Sequence, residues 1–346
     1  MDEERESLDR PPPHPDDDFI PLLGSNVRVM QRLLEKAKRA AASHASILLS
    51  GESGTGKNVL AHQIHRWSAR AECPFIIVNC TGRSEHLLES ELFGHMRSAF
   101  RGAIRDQPGR LEAAHGGSIL LDEPSDLTPS LQTKLLHFIK EQSFERMGSE
   151  NTITVDVRLI AASSHDLVSE VAARRFREDL YYRLGVITLQ VPALRQRLDD
   201  ILPLATRMLA GSAVRHRGSG LRLSPEASSA LLRYRWPGNI RELRNVIERA
   251  VVLCTDDVVT PDYLPDVLNN NRSQPTAPTT PSSSLDEIER EHIIRVMAES
   301  STFESAAYKL GINVTTLWRR RKHYGLDSTS NVPRSKRAFI SGDFSK

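Results

Sequence analysis

The sequence has few cysteines, no long apolar run and almost no net charge. Its 346 residues include three cysteines, Cys73, Cys80 and Cys254, whose spacing fits neither a metal site nor a disulfide framework. We therefore expect buried, reduced thiols in a cytoplasmic protein. No apolar stretch approaches the roughly 20 residues that cross a bilayer, so we expect no membrane partner. The start of the chain is acidic and rich in proline, so we expect no signal peptide there.

The net charge of +2 says little about partners, but the charge is unevenly distributed. Residues 1–18 carry eight acids against two bases, whereas residues 301–346 carry nine lysines or arginines against three acids. A basic end of this kind is typical of an appended nucleic-acid-binding module.

The pattern of apolar residues predicts the fold class. An apolar content of 39 % can fill a sizeable core, and the length favours about two domains. Short apolar runs alternate with helical-period stretches as far as residue 191, which predicts an α/β fold with a parallel sheet flanked by helices. The predicted strands are Ser46–Leu49, Phe75–Val78, Ser118–Leu121, Val157–Ala162 and Gly185–Val191. The predicted domains are a disordered acidic leader at 1–19, an α/β core at 20–191, a helical lid at 192–268, a linker at 269–284, a helix-turn-helix domain at 285–326 and a basic tail at 327–346.

A glycine-rich phosphate loop, residues 51–58, follows the first predicted strand and precedes a helix. Its G-x-x-x-x-G-K pattern lets backbone N–H groups turn toward phosphate oxygens, and Lys57 adds a cation. The helix after it contributes the positive end of its dipole. Asn58 stands where a Ser or Thr hydroxyl usually meets Mg²⁺. The candidate nucleotide-binding residues of the loop are Gly51, Glu52, Ser53, Gly54, Thr55, Gly56, Lys57 and Asn58.

Two carboxylates follow the third predicted strand. We predict that Asp122 holds Mg²⁺ and that Glu123 polarises the attacking water as a general base. An Asp-Glu pair is a weak signal alone, because acids often end strands. Together with the phosphate loop, the pair predicts an ATPase that uses ATP and Mg²⁺.

Several further stretches resemble the sigma-54-dependent transcriptional activators, also called bacterial enhancer-binding proteins, which are AAA+ P-loop ATPases. The resemblance covers about residues 20–268 and 285–326, and we expect no receiver domain ahead of it. The matching stretches beyond the phosphate loop are VNC at 78–80, ESELFGH at 89–95, GGSILLDE at 116–123, LQTKLL at 131–136, FREDLYYRL at 176–184 and WPGNIREL at 236–243.

The resemblance implies roles for four more residues. Asn79 would be a switch that relays the nucleotide state from Glu123, and Arg241 of the lid would touch phosphate in its own subunit. Arg177 and Arg183 would be arginine fingers that reach the ATP of a neighbouring subunit, which implies a ring, expected to be a hexamer. Without the resemblance, the last two arginines are ordinary surface cations that pair with neighbouring acids.

One loop departs from the family pattern. Members carry Gly-Ala-Phe-Thr-Gly-Ala, the element that engages sigma-54, whereas residues 98–103 are SAFRGA. Phe100 keeps the hydrophobic tip, but Arg101 replaces a compact hydroxyl with a long cation. The resemblance implies the sigma-54 RNA polymerase holoenzyme as a partner. In that interpretation, the loop tolerates the change to Arg101. The alternative is a DNA-binding regulator without sigma-54 contact, which acts with another sigma factor, as a repressor or as a partner subunit in a mixed ring.

The last predicted domain has three helical segments and resembles the Fis-type helix-turn-helix. Gly311 ends the second helix and Asn313 caps the third, just as Asn239 is predicted to cap a lid helix. Leu317 and Trp318 are predicted to face the core. The predicted contacts to an upstream DNA site are Thr315, Thr316, Arg319, Arg320, Arg321 and Lys322.

Overall fold

The computed structural model describes residues 24–100, 103–216, 220–269, 285–298, 300 and 302–324. The chain divides into two compact units, residues 1–271 and 272–346. The predicted leader, nearly all of the predicted linker and the predicted tail lie outside the described residues, and so does Arg101.

The strands of the first unit form one five-stranded parallel sheet and, in the described ranges, three small two-stranded sheets. The strands are β1 (Ile47–Ser50), β2 (Phe75–Asn79), β3 (Gly94–His95), β4 (Gln107–Pro108), β5 (Ser118–Asp122), β6 (Ser143–Glu145), β7 (Thr152–Thr154), β8 (Arg158–Ser163), β9 (Ile187–Gln190), β10 (Arg222–Leu223) and β11 (Val258–Val259). The order in the large sheet is β2-β5-β8-β1-β9. The five strands of the large sheet are the five predicted strands, and their ends differ from the predicted ends by two residues at most.

Helices cover the sheet, build the lid and form the second unit. They are α1 (Arg28–Ala41), α2 (Lys57–Arg66), α3 (Glu85–Phe93), α4 (Arg110–Ala113), α5 (Pro129–Glu141), α6 (Leu167–Ala172), α7 (Glu178–Leu184), α8 (Ile201–His216), α9 (Pro225–Arg233), α10 (Asn239–Leu253), α11 (Asp266–Asn269), α12 (Leu285–Ala298), α13 (Phe303–Lys309) and α14 (Val314–His323). The pattern of apolar residues did not predict α1, α4, α7 or α11.

Both faces of the large sheet are buried, which explains why its strands are continuous apolar runs. Along β5, Ile119 and Leu121 belong to one core cluster and Leu120 to the other. Successive side chains of a strand point to opposite faces, so a strand covered on both sides needs apolar residues at every position. The predicted α/β fold is therefore confirmed.

The lid has its own core, centred on a buried tryptophan. Trp236 is 0 % exposed, and its indole N–H donates to the Leu231 carbonyl at 2.9 Å. Helices α8 and α10 pack against each other around this core. The lid is thus a folded body with one end directed at the phosphate loop, as the site below shows.

The second unit is a small three-helix domain. Its core consists of Ile293, Ala306, Ala307 and Leu317, and the two alanines allow helices to approach closely. Gly311 has a left-handed φ of 66°, and the Asn313 side chain accepts a hydrogen bond from the Thr315 N–H, as predicted for a helix end and a helix cap.

Two predictions about burial are wrong. Trp318 is 54 % exposed, because adjacent residues of a helix lie about 100° apart and Leu317 takes the inward position. Cys73 is exposed, because it lies in the loop between α2 and β2, whereas Cys80 and Cys254 are buried free thiols.

Among the described helices, none has the length and hydropathy needed to cross a bilayer.

Candidate functional site

A cavity of about 540 Å³ lies between the carboxyl ends of the large sheet's strands and the lid. Volumes of this order suit small-molecule ligands. Ten of the residues predicted from sequence line it: Ser53, Gly54, Thr55, Gly56, Lys57, Asn58, Asn79, Asp122, Glu123 and Arg241. The fold thus brings segments from four distant parts of the chain to one site.

Lys57 lies at the centre of the phosphate loop. Its ammonium donates to the Gly51 carbonyl at 2.8 Å and to the Glu52 carbonyl at 3.2 Å, and it lies 3.8 Å from Oε1 of Glu123. The residue is only 6 % exposed, and this burial lowers the pKa of the lysine, while the nearby Glu123 and Asp122 carboxylates oppose the shift. A buried cation at the N-terminus of a helix is the arrangement expected of an anion-binding loop.

Gly54 joins the loop to the lid. Its carbonyl accepts hydrogen bonds from the N–H groups of Ile240 at 2.8 Å and of Arg241 at 3.3 Å, both in the first turn of α10. Its φ is 76°, and a Cβ atom there would lie 2.3 Å from the Gly238 carbonyl oxygen. Glycine is therefore required at this position by the backbone conformation and by the close approach of the lid.

Asn239 links the lid to the loop with its side chain and is not a helix cap. Its amide donates to the Ser53 carbonyl at 3.0 Å and to Glu52 at 3.1 Å, and its oxygen accepts from the Leu194 N–H at 2.8 Å. The residue is fully buried and belongs to α10 with a φ of 52°, while Gly238 is the capping position. The predicted cap is wrong because the side-chain oxygen, which a cap would offer to an N–H of the helix, accepts from the Leu194 N–H instead.

Glu52 carries a second link between loop and lid. Arg195 donates to both of its carboxylate oxygens, one of them at 2.7 Å. The hydrogen bonds from Arg195 and Asn239 lower the pKa of Glu52 to about 2. The glutamate is therefore ionised at neutral pH and anchors the lid, rather than facing a phosphate.

Asp122 ends β5 beside the phosphate loop. Its Oδ2 accepts a hydrogen bond of 3.0 Å from the side-chain amide of Asn58. Burial raises the pKa of Asp122, and the Asn58 amide opposes that shift. In the part of the chain that the structure describes, no cluster of three or more metal-binding side chains exists. A single carboxylate fits Mg²⁺, which commonly binds one or two carboxylates and completes its shell with substrate phosphates and water.

Glu123 is held in a strained backbone conformation. Its φ is 56°, and its Oε2 accepts a 2.7 Å hydrogen bond from the Ser164 N–H, which follows β8. His165 Nδ1 lies 3.7 Å from the same oxygen. Non-glycine residues in the left-handed region cost free energy and concentrate at functional sites. The carboxylate therefore has a fixed position inside the cavity.

Asn79 lies at the end of β2, paired in register with Asp122 of β5. Its Oδ1 accepts from the Thr81 N–H at 2.8 Å, so its amide is oriented by its own turn. The predicted relay between Asn79 and Glu123 remains a prediction, although both residues line the cavity.

The three predicted arginines lie in different places. Arg241 lines the cavity and donates to the Ser53 hydroxyl at 2.8 Å. Arg177 and Arg183 are exposed and are not among the residues that line the cavity. Arg177 pairs with Asp179 at 2.9 Å, in an ion pair whose two side chains are almost half exposed. Such pairs are weak and exchange readily.

Among the cavity residues that the sequence did not reveal are three basic ones, His165, Arg197 and Arg244. Arg197 is 2 % exposed and donates to the Thr55 carbonyl at 2.8 Å, which makes it a buried support of the phosphate loop. It lies in a segment of short 3₁₀ turns between core and lid, where no periodic pattern marks an inward residue.

Phe100 is half-buried, and its ring centroid lies 5.0 Å from that of His95 in an edge-to-face contact. His95 is buried and bonded to the Ser90 hydroxyl at 2.7 Å. The predicted loop tip thus packs on the main body at Phe100, while the prediction for Arg101 falls outside the described residues.

The predicted DNA-binding residues all lie on the recognition helix, α14. Thr315, Thr316, Arg319 and Lys322 are exposed. Arg320 pairs with Glu289 of α12, and Arg321 is half-buried with its guanidinium carbon 5.9 Å from the Phe303 ring centroid. The predicted contacts are therefore not equivalent.

The sheet order, the phosphate loop and the carboxylates at the strand ends define a P-loop NTPase of the AAA+ type with a helical lid and a separate helix-turn-helix domain. Comparisons with known families agree. The model described as "Sigma-54 interaction domain" matches residues 23–190, "AAA+ ATPase lid domain" matches 195–281 and "Bacterial regulatory protein, Fis family" matches 284–324. The chain belongs to the family of sigma-54-dependent transcriptional regulators.

The relatives are similar over most of this chain. The alginate biosynthesis transcriptional regulatory protein AlgB of Pseudomonas aeruginosa is 47 % identical over 305 residues, which span 88 % of this chain and 68 % of AlgB. The transcriptional regulatory protein ZraR of Escherichia coli K12 is 45 % identical over 83 % of this chain and 65 % of ZraR. The crystal structure of NtrX from Brucella abortus in complex with ADP has a TM-score of 0.68 and 31 % identity, covering 94 % of this chain and 73 % of that chain. A complex of NtrX with ATP gives a TM-score of 0.67.

Proposed function

We propose that this chain hydrolyses ATP in a ring of subunits, binds DNA upstream of promoters through its helix-turn-helix domain, and uses ATP turnover to remodel sigma-54 RNA polymerase. The observation that carries the proposal is the arrangement of Lys57, Asp122 and Glu123 around one cavity closed by the lid. NtrX, a structural neighbour, has been crystallised with ADP and with ATP. The site of action is the cytoplasm.

The chemistry assigned to each residue follows from its position. The N–H groups of residues 53–58 and the Lys57 ammonium bind the phosphates, and Arg241 approaches them from the lid. Asp122 would hold Mg²⁺ with phosphate oxygens, and the ion would neutralise charge that develops on the transferred phosphoryl group. Glu123, fixed by the Ser164 N–H, accepts a proton from the attacking water.

Two arginines outside the cavity support the proposal of a ring of subunits. Phosphoryl transfer gathers negative charge on equatorial oxygens, and a guanidinium neutralises it with its planar fork. Arg177 and Arg183 do not line the cavity of their own subunit. We propose that they complete the site of a neighbouring subunit in a ring, which is proposed to be a hexamer.

The second candidate function rests on residue 101. An arginine at the loop tip costs desolvation free energy in a protein interface unless an acid meets it. In this alternative the chain binds DNA and works with another sigma factor, as a repressor or beside a partner subunit with an unaltered loop.

Phosphate release by the purified full chain tests the ATPase proposal. Lys57→Ala should abolish nucleotide binding, because the buried cation is lost. Glu123→Gln should bind ATP without hydrolysing it, because the amide cannot accept the water's proton. The rate of phosphate release is measured up to protein concentrations at which rings form. If the native chain is no faster than Glu123→Gln, the enzyme assignment is rejected.

The DNA-binding proposal is tested with the full chain and duplex DNA at several salt concentrations. About four to six phosphate contacts would give a steep loss of affinity with salt, because bound cations release counterions from the duplex. Affinity that does not change with salt would contradict the basic recognition helix as the contact surface.

A further inference from the structure

The cations of the recognition helix divide into two groups. Arg320 pairs with the Glu289 carboxylate of α12, and the Tyr324 hydroxyl donates to the same carboxylate at 2.7 Å. Arg321 lies half-buried beside the Phe303 ring of α13. Each of these two arginines is therefore held against another helix of the domain, and the Arg320 ion pair, whose side chains are exposed, contributes little stability.

The other group forms the outward face of the helix. Thr315, Trp318, Arg319 and Lys322 follow the spacing i, i+3, i+4 and i+7, which places them on one side. All four are exposed, whereas Leu317 is fully buried on the opposite side. We call these four residues the outward face.

Trp318 is the unusual member of the outward face. More than half of its surface is exposed, and the Lys322 ammonium lies 5.4 Å from its ring centroid. The domain core does not use it, since that core is built from Ile293, Ala306, Ala307 and Leu317. A large exposed aromatic residue between cations indicates a contact surface for a partner that combines negative charge with apolar groups.

We infer that Trp318 is a sequence-reading residue, which packs its indole against thymine methyl groups in the major groove. The inference rests on the proposed DNA-binding function and goes beyond it, because it names the chemical group that is read. Duplex DNA offers phosphates for Arg319 and Lys322 and, in the major groove, the thymine C5-methyl as its apolar group. The recognition helix of a helix-turn-helix is the element that enters that groove.

The experiment begins by selecting preferred duplexes from a random pool with the native full chain. Affinities are then compared for the native chain, Trp318→Ala and the control Tyr308→Ala. Tyr308 is a suitable control because it is 88 % exposed and lies on α13, outside the recognition helix. Each selected thymine is also replaced by uracil, which removes only the methyl group.

Trp318→Ala should lower the affinity for the selected duplex about tenfold, which lies within the range of one good base contact. Affinity for an unrelated duplex and the salt dependence should stay as in the native chain, because no charge is removed. Lys322→Ala should instead reduce the slope of log affinity against log salt by about 1. Uracil at the position that Trp318 contacts should weaken binding by the native chain and have no further effect on Trp318→Ala.

The possible failures are distinguishable. No binding of any duplex by the native chain would reject the DNA-binding proposal itself. The native chain could bind DNA while Trp318→Ala behaves like Tyr308→Ala on both thymine and uracil duplexes. That result would overturn the inference and assign the exposed indole to a protein partner. Trp318→Phe, which keeps an apolar ring, should retain most of the preference and controls for a folding defect in the alanine variant.

Discussion

The side-chain amide of Asn58 donates a 3.0 Å hydrogen bond to Oδ2 of Asp122, across 64 residues of sequence. A hydroxyl at this position usually contacts Mg²⁺ directly. Here the amide orients the carboxylate assigned to the metal, so the substitution alters how the metal site is organised and leaves its charge in place.

Removal of that amide should weaken Mg²⁺ binding. We expect Asn58→Ala to raise the Mg²⁺ concentration for half-maximal ATP hydrolysis about fivefold, since a hydrogen bond of this kind contributes roughly 1 kcal/mol. Asn58→Ser, which supplies the usual hydroxyl, should need no more Mg²⁺ than the native chain. Equal Mg²⁺ dependence in all three proteins would show that Asn58 does not orient Asp122.

Asn239 should be important for attachment of the lid to the phosphate loop. Asn239→Ala leaves the buried Leu194 N–H and Ser53 carbonyl without this partner and keeps a strained backbone, so we expect a loss of about 3 kcal/mol in the free energy of unfolding. Asn239→Gly should recover about 1 kcal/mol of this loss, because glycine tolerates the positive φ.

The measurement for Asn239 is urea unfolding followed by fluorescence, with Trp236 reporting from the lid core. Asn245→Ala is the matched control, since Asn245 is an exposed asparagine of the same helix. A loss in Asn239→Ala no larger than in Asn245→Ala would contradict the proposed link.

Arg183 should act on the ATP of a neighbouring subunit. Arg183→Ala and Glu123→Gln should each be inactive alone, and mixing them should restore part of the hydrolysis. Restored sites would combine the intact Glu123 of one subunit with the intact Arg183 of the next. A mixture of Lys57→Ala with Glu123→Gln is the control and should stay inactive, because Lys57 and Glu123 belong to the same subunit's site and every subunit in this mixture carries one of the two defects.

Light scattering should show that subunits assemble as the protein concentration rises. Over the same range, the rate of ATP hydrolysis should increase more than linearly with protein concentration. An active monomer would exclude the shared site. Arg175→Ala should remain active, because Arg175 is exposed and pairs with Glu170 of its own subunit.

Arg101→Thr should change the contact with sigma-54 polymerase and little else. The ATP site and the recognition helix consist of other residues, so hydrolysis and DNA affinity should stay nearly unchanged. In an open-complex assay on a sigma-54 promoter, we expect weak activation by the native chain and stronger activation by Arg101→Thr, because the desolvation cost of the cation is removed. Full activation by the native chain that falls in Arg101→Thr would show that the arginine is an adapted contact.

Local patterns predicted much of this protein. The phosphate loop is contiguous in sequence, so its glycines, its lysine and its position between a strand and a helix are all visible before folding. The five central strands were predicted because both faces of the sheet are buried, which requires continuous apolar runs. Helix ends at Gly311 and Asn313 depend on the nearest few residues and were predicted for that reason.

The tertiary structure decided which polar groups meet. The amide of Asn58 could face solvent, phosphate or a carboxylate, and only the pairing of β5 beside the phosphate loop selects Asp122. Asn239 follows the sequence rule for a helix cap, yet in the folded protein its side-chain oxygen accepts from the Leu194 N–H and its NH2 group donates to the phosphate loop. Trp318 is exposed although it was predicted to face the core, and Arg320 pairs with Glu289 of α12, because the direction of a side chain around a ten-residue helix depends on the neighbouring helices, which its own sequence does not specify. Hydrophobic periodicity determines which segments are buried, whereas the partner of a buried or charged group is set by chain segments that only folding brings together.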